Sequence, residues 1–446
     1  MEKLPHECGV ALVCLPGNDT DAVPGALAML RDQRHRGRQG AGLAVPDAAG
    51  GFSVLKFDGD NSLDHLCDAA CALHGDMVLG HVRYATNGRG GTEAVHPFVS
   101  RNGRMALCGN FHFGRRYEAP DGQLVTERIA QALSETDSLT DALRQTLAEA
   151  HGGFVLCGIT ADGCAFAVRD RHGIRPAWYV LRDGELRVAS ERFALHDANA
   201  RELPAGHALV RDSHGRVTME RLMAEAPLCQ CPFERIYFAS AKDPDIAAAR
   251  RALGRALAPA VMQAIAGEAL APVLTYVPNS AVHAWEGLAE ALDDAVVPSS
   301  IISKLTRHRT FMHGAESRVS EVESAYSVEA DALNRAVIIV DDSIVRGTTF
   351  RRSTLLRQLQ ERGATRIIIV SSAPPILYPD HYGIDIPTRE ELIAARAAAT
   401  GRTVAELLTP PDVTIPVTVI YQSIADLCRV LGPSYGTWVF TGTYPD

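Results

Sequence analysis

Two acids stand side by side, Asp341 and Asp342, where an aliphatic run ends in the string VIIVDDSIVRGTT. Carboxylates in that position can hold sugar hydroxyls, or a Mg²⁺ ion shared with the phosphates of a substrate. Ser343, Gly347, Thr348 and Thr349 follow, and a glycine and hydroxyls ahead of a helix let backbone N–H groups converge on an anion. Arg346 adds a positive charge. Two acids alone suit a solvated strand end equally well. The acids combined with an apolar strand, a four-residue spacer and Gly-Thr-Thr point instead to a sugar-phosphate site.

The elements around this string must present it at a sheet edge. Residues 336–340 read as a strand, and 349–362 as a helix with Gly363 at its C′ position. The turn 341–348 then lies at the carboxyl end of a strand, where open α/β sheets bind ligands. From about residue 240, strand and helix patterns alternate: DIAAARRALGRALAPAVMQAIAG as one long helix, PVLTYVP, AVHAWEGLAEALDDA, AVIIVDD and TRIIIVSSAPP. Alternation of this kind predicts a parallel sheet with helices on both faces. Up to about residue 215 the pattern differs. Short apolar runs such as GVALVCL, MVLGHVRYA and GGFVLCGIT are punctuated by Gly, Asp and Asn, which suggests stacked sheets. Helical patches lie between them at LVTERIAQALSE and LTDALRQTLAEAHGG. The boundary falls in MAEAPLCQCPFERIYFAS, near residues 220–240.

Bulk properties exclude several classes. A chain of 446 residues is too long for one core and implies at least two domains. A net charge of −9 disfavours a nucleic-acid binder, whose footprint is normally basic. No apolar run reaches the roughly 18 residues of a membrane span, and the N-terminal stretch lacks a secretory pattern. Ten cysteines are too dilute for a disulfide scaffold, so a cytoplasmic protein is expected.

The string VDDSIVRGTT resembles the phosphoribosylpyrophosphate (PRPP) motif of type I phosphoribosyltransferases, in the variant of the glutamine PRPP amidotransferase, or amidophosphoribosyltransferase, family. SSAPP and YGIDIPTREELIAA continue the likeness. In the first half, HECGV, RHRGRQGAGLAV, LGHVRYATNG, RDRHGIRPAWYV and VASERFAL are similar, in order and spacing, to the family's N-terminal-nucleophile glutaminase domain. The resemblance implies a leader over residues 1–7, an αββα-sandwich glutaminase domain over 8–230, and a type I phosphoribosyltransferase domain over 231–446. It implies that Cys8, freed of the leader, is the nucleophile, with its own α-amino group (pKa near ~8) as base. Arg83 and Thr86 would bind glutamine, Arg83 through its carboxylate, and the Gly109 N–H would face the oxyanion. Ammonia would pass inside the protein to PRPP, held by Asp341, Asp342, Ser343, Arg346, Gly347, Thr348 and Thr349, with Mg²⁺ on the two acids. The products would be pyrophosphate and phosphoribosylamine, the first step towards purines. A homo-oligomer, dimer or tetramer, is the family habit.

Departures from the family pattern cluster at both reaction centres. Cys108 stands where an asparagine amide donor is expected, and Val125 where an acid holds the glutamine ammonium. Asn279 and Ala281 replace an acid and a hydroxyl on the pyrophosphate side. Glu321, Glu323 and Ala325 occupy positions of a basic loop, with Arg309 and Arg318 retained. Cys231 matches one ligand of the iron–sulfur cluster some members carry, but Asp380, Gly436 and Val439 take the other three places, so no cluster is expected. Cys67 and Cys71 read as structural. Three readings follow: a working amidophosphoribosyltransferase; a diverged paralogue with altered sugar-phosphate chemistry or an idle glutaminase half; and a non-catalytic PRPP- or nucleotide-binding regulator. Pyrophosphate release, glutamine turnover lost in Cys8→Ser, and ligand binding without turnover separate them.

Overall fold

The short apolar runs of the first half are strands: β1 (Gly9–Cys14), β2 (Gly40–Pro46), β3 (Phe52–Asp58), β4 (Met77–Arg83), β5 (Phe98–Val99), β6 (Met105–Phe113), β7 (Gly152–Thr160), β8 (Ala165–Arg169), β9 (Trp178–Arg182), β10 (Glu185–Ala189), β11 (Arg201–Glu202), β12 (His207–Arg211) and β13 (Val217–Arg221). The structure, a computed structural model, describes residues 8–17, 20–84, 91–113, 122–304, 326–330, 333–351, 354–384, 386 and 388–445. The strands form two antiparallel sheets, ordered β11-β9-β10-β1-β4-β2-β3 and β13-β12-β8-β7-β6-β5.

Period-two alternation explains why β1 carries no polar face. Val10 and Leu12 point into the gap between the sheets with Leu79, Cys108 and Val155. Ala11 and Val13 point the other way, under the helices α1 (Val23–Asp32) and α2 (Ser62–Ala69). The second sheet is covered on its outer face by α3 (Gly122–Thr136) and α4 (Leu139–Leu147), which pack on Leu107, Leu156 and Phe166. The result is the four-layer αββα sandwich.

The second half is a parallel sheet. In chain order it comprises α5 (Pro244–Ala256), α6 (Ala258–Ile265), β14 (Val273–Tyr276), α7 (Val282–Leu292), β15 (Val297–Pro298), the antiparallel pair β16 (Ile302–Lys304) and β17 (Tyr326–Val328), β18 (Val337–Asp341), α8 (Thr348–Arg351), α9 (Leu355–Glu361), β19 (Ile367–Ser371), α10 (Ile393–Thr400), α11 (Val404–Leu408), β20 (Val417–Tyr421), α12 (Ile424–Leu431) and α13 (Trp438–Thr441). The five-stranded order is β15-β14-β18-β19-β20, every pair parallel. β18 and β19 are buried along their whole length, as central parallel strands must be. Leu274, Ile338 and Ile368 face one layer of helices, Ile339, Ile367 and Ile369 the other.

Three expectations shift. The long helix after residue 244 is two, because Pro259 lacks an N–H and suits only the first turn of a helix, so a new one starts at Ala258. The strand runs one residue further than expected, so Asp341 is its last residue and pairs in register with Ser371. The helix after the turn is seen as α8 and α9, and Gly363 sits beyond its end at φ +84°, its N–H on the Gln360 carbonyl at 2.9 Å. No helix among the described residues is long and apolar enough to cross a membrane.

Candidate active site

At the end of β18 the two acids are buried, Asp341 to 4% exposure and Asp342 to 5%. Three neutral donors brace them, and the buried Arg250 guanidinium adds a positive field at Asp342. The Asp342 N–H donates to Asp341 Oδ1 at 2.9 Å, Ser343 Oγ donates to Asp342 Oδ1 at 3.1 Å, and Ser280 Oγ donates to Asp342 Oδ2. Below them Ser372 donates from its N–H to the Asp341 carbonyl and from its hydroxyl to the Asp342 carbonyl. Ser372 comes from SSAPP, and Ser280 lies between the two departures Asn279 and Ala281. Gly347 turns the chain with φ +76°, and its carbonyl accepts the N–H groups of Phe350 and Arg351, opening α8. A Cβ there would stand 2.4 Å from Leu408 and 2.7 Å from Ile393, so only glycine fits. Thr348 and Thr349 begin the helix. Arg346 lies at the rim and pairs with Glu391 at 2.7 Å. Beside the acids, Asn279 is exposed and Ala281 fully buried. Thr86, Arg309, Arg318, Glu321, Glu323 and Ala325 lie outside the described residues.

The thiol end is built where β1 starts. Cys8 is partly exposed, and its Sγ donates to the Tyr84 carbonyl at 4.0 Å. Burial raises the thiol above its ordinary pKa, while that hydrogen bond and the fields of Arg83 and Arg36 oppose the rise. Arg83 ends β4, half-buried, with Asp58 at 3.7 Å. The glycines of RHRGRQGAG are needed here: a Cβ on Gly37 would lie 2.6 Å from the Arg83 backbone.

The Gly109 peptide is held between two imidazoles. His81 Nε2 donates to the Gly109 carbonyl at 3.2 Å, and the Gly109 N–H donates to His96 Nδ1 at 3.3 Å. The rings stack at 4.3 Å between centroids. Burial lowers the pKa of both, His81 to about 3, so both are neutral and His96 carries its proton on Nε2. The N–H expected at an oxyanion is thus already bonded to an imidazole. Cys108 lies in the inter-sheet core with its thiol on the Gly80 carbonyl at 3.5 Å, and Val125 is buried under α3 beside Met105 and Ile129. Neither side chain supplies the polar group expected there from the resemblance.

Buried charge connects the two ends. Arg36 donates to the Cys8 carbonyl at 3.2 Å, to Glu191 at 2.9 Å, and to Glu234 at 2.8 Å and 3.0 Å. Glu234 opens a π-helical turn, Glu234–Phe238, that carries Tyr237. The Tyr237 hydroxyl is raised by burial and then by the fields of Asp342, Tyr84 and Asp341, so it lies within electrostatic reach of both centres. The sequence pattern gave no role to His81, His96, Arg36, Glu191 or Tyr237, although three of them, His81, Arg36 and Glu191, lie in the strings HVRYAT, RHRG and SERF. Further along, Cys231 is buried with Trp438 and Tyr382, Asp380 accepts the Trp438 Nε1–H at 2.7 Å, and Gly436 lies flat against the indole.

Comparison with known proteins decides the family. The chain is 32% identical over 395 residues to the amidophosphoribosyltransferase of Bacillus subtilis (strain 168), covering 82% of this chain and 79% of that protein. This chain belongs to the amidophosphoribosyltransferase family. The enzyme of that name from Staphylococcus epidermidis (strain ATCC 12228 / FDA PCI 1200) is 28% identical over 484 residues, covering 99% of this chain and 91% of its own. Two solved structures are similar throughout. One is the glutamine PRPP amidotransferase from B. subtilis complexed with ADP and GMP, with a TM-score of 0.78, 28% identity, and 98% and 97% of the two chains covered. The other is described as the allosteric regulatory enzyme of purine biosynthesis, with a TM-score of 0.79, 28% identity, and 98% and 96% covered. No family model matches the chain.

Proposed function

We propose that this amidophosphoribosyltransferase-family chain moves ammonia from glutamine to PRPP, releasing pyrophosphate and forming phosphoribosylamine, the entry step to purines. The observation that carries the reading is the turn after β18: two buried acids oriented by a backbone N–H and two serine hydroxyls, followed by a glycine-opened helix N-terminus. Domains over 8–230 and 231–446 would house the two half-reactions.

At the thiol end, removal of residues 1–7 would free the Cys8 α-amino group as base. The thiolate attacks the side-chain amide carbon of glutamine, the C–N bond breaks, and the nitrogen leaves as ammonia with the thiol's proton. Water then hydrolyses the thioester to glutamate and regenerates the thiol. Arg83 would pair with the glutamine α-carboxylate, with Thr86 beside it, and Gly109 would donate to the oxyanion once His96 releases its N–H. At the other end the amides of 345–349 would hold the 5′-phosphate, with Ser343 and Arg346 at its edge, and Asp341 and Asp342 the ribose hydroxyls. Ammonia attacks C1, the bond to pyrophosphate breaks, and the amine loses a proton.

Two carboxylates suit Mg²⁺, which takes one or two protein acids and completes its shell from substrate oxygens and water. Among the described residues no three or more ligating side chains gather for a metal without substrate. When bound, Mg²⁺ would neutralise charge on the leaving pyrophosphate. Trp438 fills the neighbourhood of Cys231, which supports a chain without an iron–sulfur cluster. A cytoplasmic dimer or tetramer is the expected setting. An assay of pyrophosphate release with glutamine or ammonia tests the whole: release from neither donor would overturn it.

A diverged paralogue is the second reading, favoured by one observation, the His96 imidazole on the Gly109 N–H. Rapid glutamine hydrolysis by the purified protein, abolished in Cys8→Ser, would count against it.

A further inference from the structure

Glutamine is a zwitterion, and Arg83 answers only half of it. A guanidinium pairs with the α-carboxylate. The α-ammonium beside it needs an acid, because a cation drawn out of water without a counter-charge is costly. Val125 supplies none. The first sheet does, in the row of residues that holds Arg83.

Strands β1, β4, β2 and β3 lie side by side in that order, with β3 at the edge. Gly40 on β2 stands opposite Arg83 on β4 and opposite Asp58 on β3. Gly9 pairs with Val82, so Cys8, one residue earlier, comes level with Arg83. Cys8, Arg83, Gly40 and Asp58 therefore form one row across the sheet. Residues opposite one another share a face. Here it is the face of Val10, Leu79, Ala44 and Val54, which looks into the gap between the sheets.

The glycine lets the two charges of the row meet. A Cβ on Gly40 would stand 3.2 Å from Arg83 Cβ and 3.5 Å from its Cδ, so the Arg83 side chain passes over the glycine towards β3. There Arg83 Nη1 faces Asp58 Oδ1 at 3.7 Å, too far for a hydrogen bond. The other carboxylate oxygen, Oδ2, accepts the Gly91 N–H at 2.8 Å, which fixes the group. Oδ1 thus keeps acceptor capacity beside the guanidinium. Lys56, two residues back on the same face, directs its Nζ over the Phe98 ring at 4.9 Å.

We propose that Asp58 binds the α-ammonium of glutamine, with Arg83 on the α-carboxylate and the side-chain amide reaching along the row to Cys8. Asp58 then selects an α-amino acid over a plain carboxylic amide as the ammonia donor. This role of Asp58 rests on the reading of the Cys8 end as a glutaminase.

Calorimetric titration of glutamine into the full chain carrying Cys8→Ser measures binding without turnover. Adding Asp58→Asn is expected to weaken glutamine binding roughly tenfold to a hundredfold. Glutaramate, the monoamide of glutaric acid, has the same carboxylate and amide but no ammonium. It should bind the Cys8→Ser protein more weakly than glutamine by a similar factor, and Asp58→Asn should leave its affinity within about twofold. Asp58→Glu should recover part of the loss for glutamine. Unchanged glutamine affinity in the Asn variant would overturn the proposal. Equal losses for glutamine and glutaramate would overturn it too, since Asp58 would then only brace Arg83. Glutamine binding that depends on Asp58, with no hydrolysis when Cys8 is intact, would refute the glutaminase reading and keep the site. Binding of neither compound would refute both.

Discussion

Neutral donors brace the acids at the end of β18, whereas imidazoles brace the peptide at Gly109, and the two bracings have opposite consequences. Ser280 and Ser343 orient the Asp342 carboxylate through hydroxyls, and Arg346 at the rim pairs with Glu391. At Gly109 the bracing takes up the very N–H that the chemistry would use. One centre is preorganised; the other must rearrange before it can act. A hydrogen bond fixes geometry in both, but only a brace that leaves the reactive group's remaining valence open prepares it for catalysis.

Variants can break or sharpen this contrast. The largest effect is expected from Cys8→Ser, which should lower glutamine-driven pyrophosphate release by about 10³-fold and leave the ammonia-driven rate within about twofold. Equal loss with both donors would mean the thiol supports the fold rather than the chemistry. Asp342→Asn should cost about 10²-fold with either donor, because the charge facing the substrate disappears while the serine hydroxyls keep a partner. A ratio near one would move the reaction away from this turn.

His96→Ala tests the other side of the contrast. Freeing the Gly109 N–H from one hydrogen bond of about 1 kcal/mol should raise glutamine hydrolysis by up to about fivefold. A fall in rate, with thermal stability kept, would show the imidazole to be a working part of the site and not an obstruction.

The smallest expected change concerns the link between the halves. Burial opposes the Glu191 charge, but His35 and Arg36 pull its carboxyl down from an ordinary 4.5 to about 2. A depressed carboxyl contributes stability above its unfolded value and loses it as the pH falls from about 4.5 towards 2. Glu191→Gln should therefore lower stability at pH 7 by about 2 kcal/mol and flatten the decline of melting temperature over that acid window. An unchanged pH profile would show that this carboxylate is not linked to folding.

How much of this the sequence displayed depended on range. The turn is local: strand, acids, glycine and helix lie within residues 336–363, and periodicity with turn chemistry located them to within one residue at the strand. The sandwich was legible for the same reason, since apolar runs broken by glycine report sheets wherever they pair. The break at Pro259 was visible in principle, but the alanine-rich helical pattern on either side concealed it. The His81–Gly109–His96 arrangement was not legible, because it joins β4, β6 and the approach to β5 across the gap between two sheets. Arg36 with Glu191 and Glu234 spans 155 and 198 residues, and no spacing rule reaches so far. Cys108, at the place of an expected amide donor, turns into the core instead, because β6 alternates and residue 108 faces the other sheet.

The central claim is that the turn after β18 cups a ribose 5-phosphate. Its most direct test is a structure of the protein soaked with PRPP and Mg²⁺. The phosphate is predicted on the amides of 345–349, with the ribose hydroxyls on Asp341 and Asp342. An empty turn, with the ligand seated elsewhere in the molecule, would contradict it.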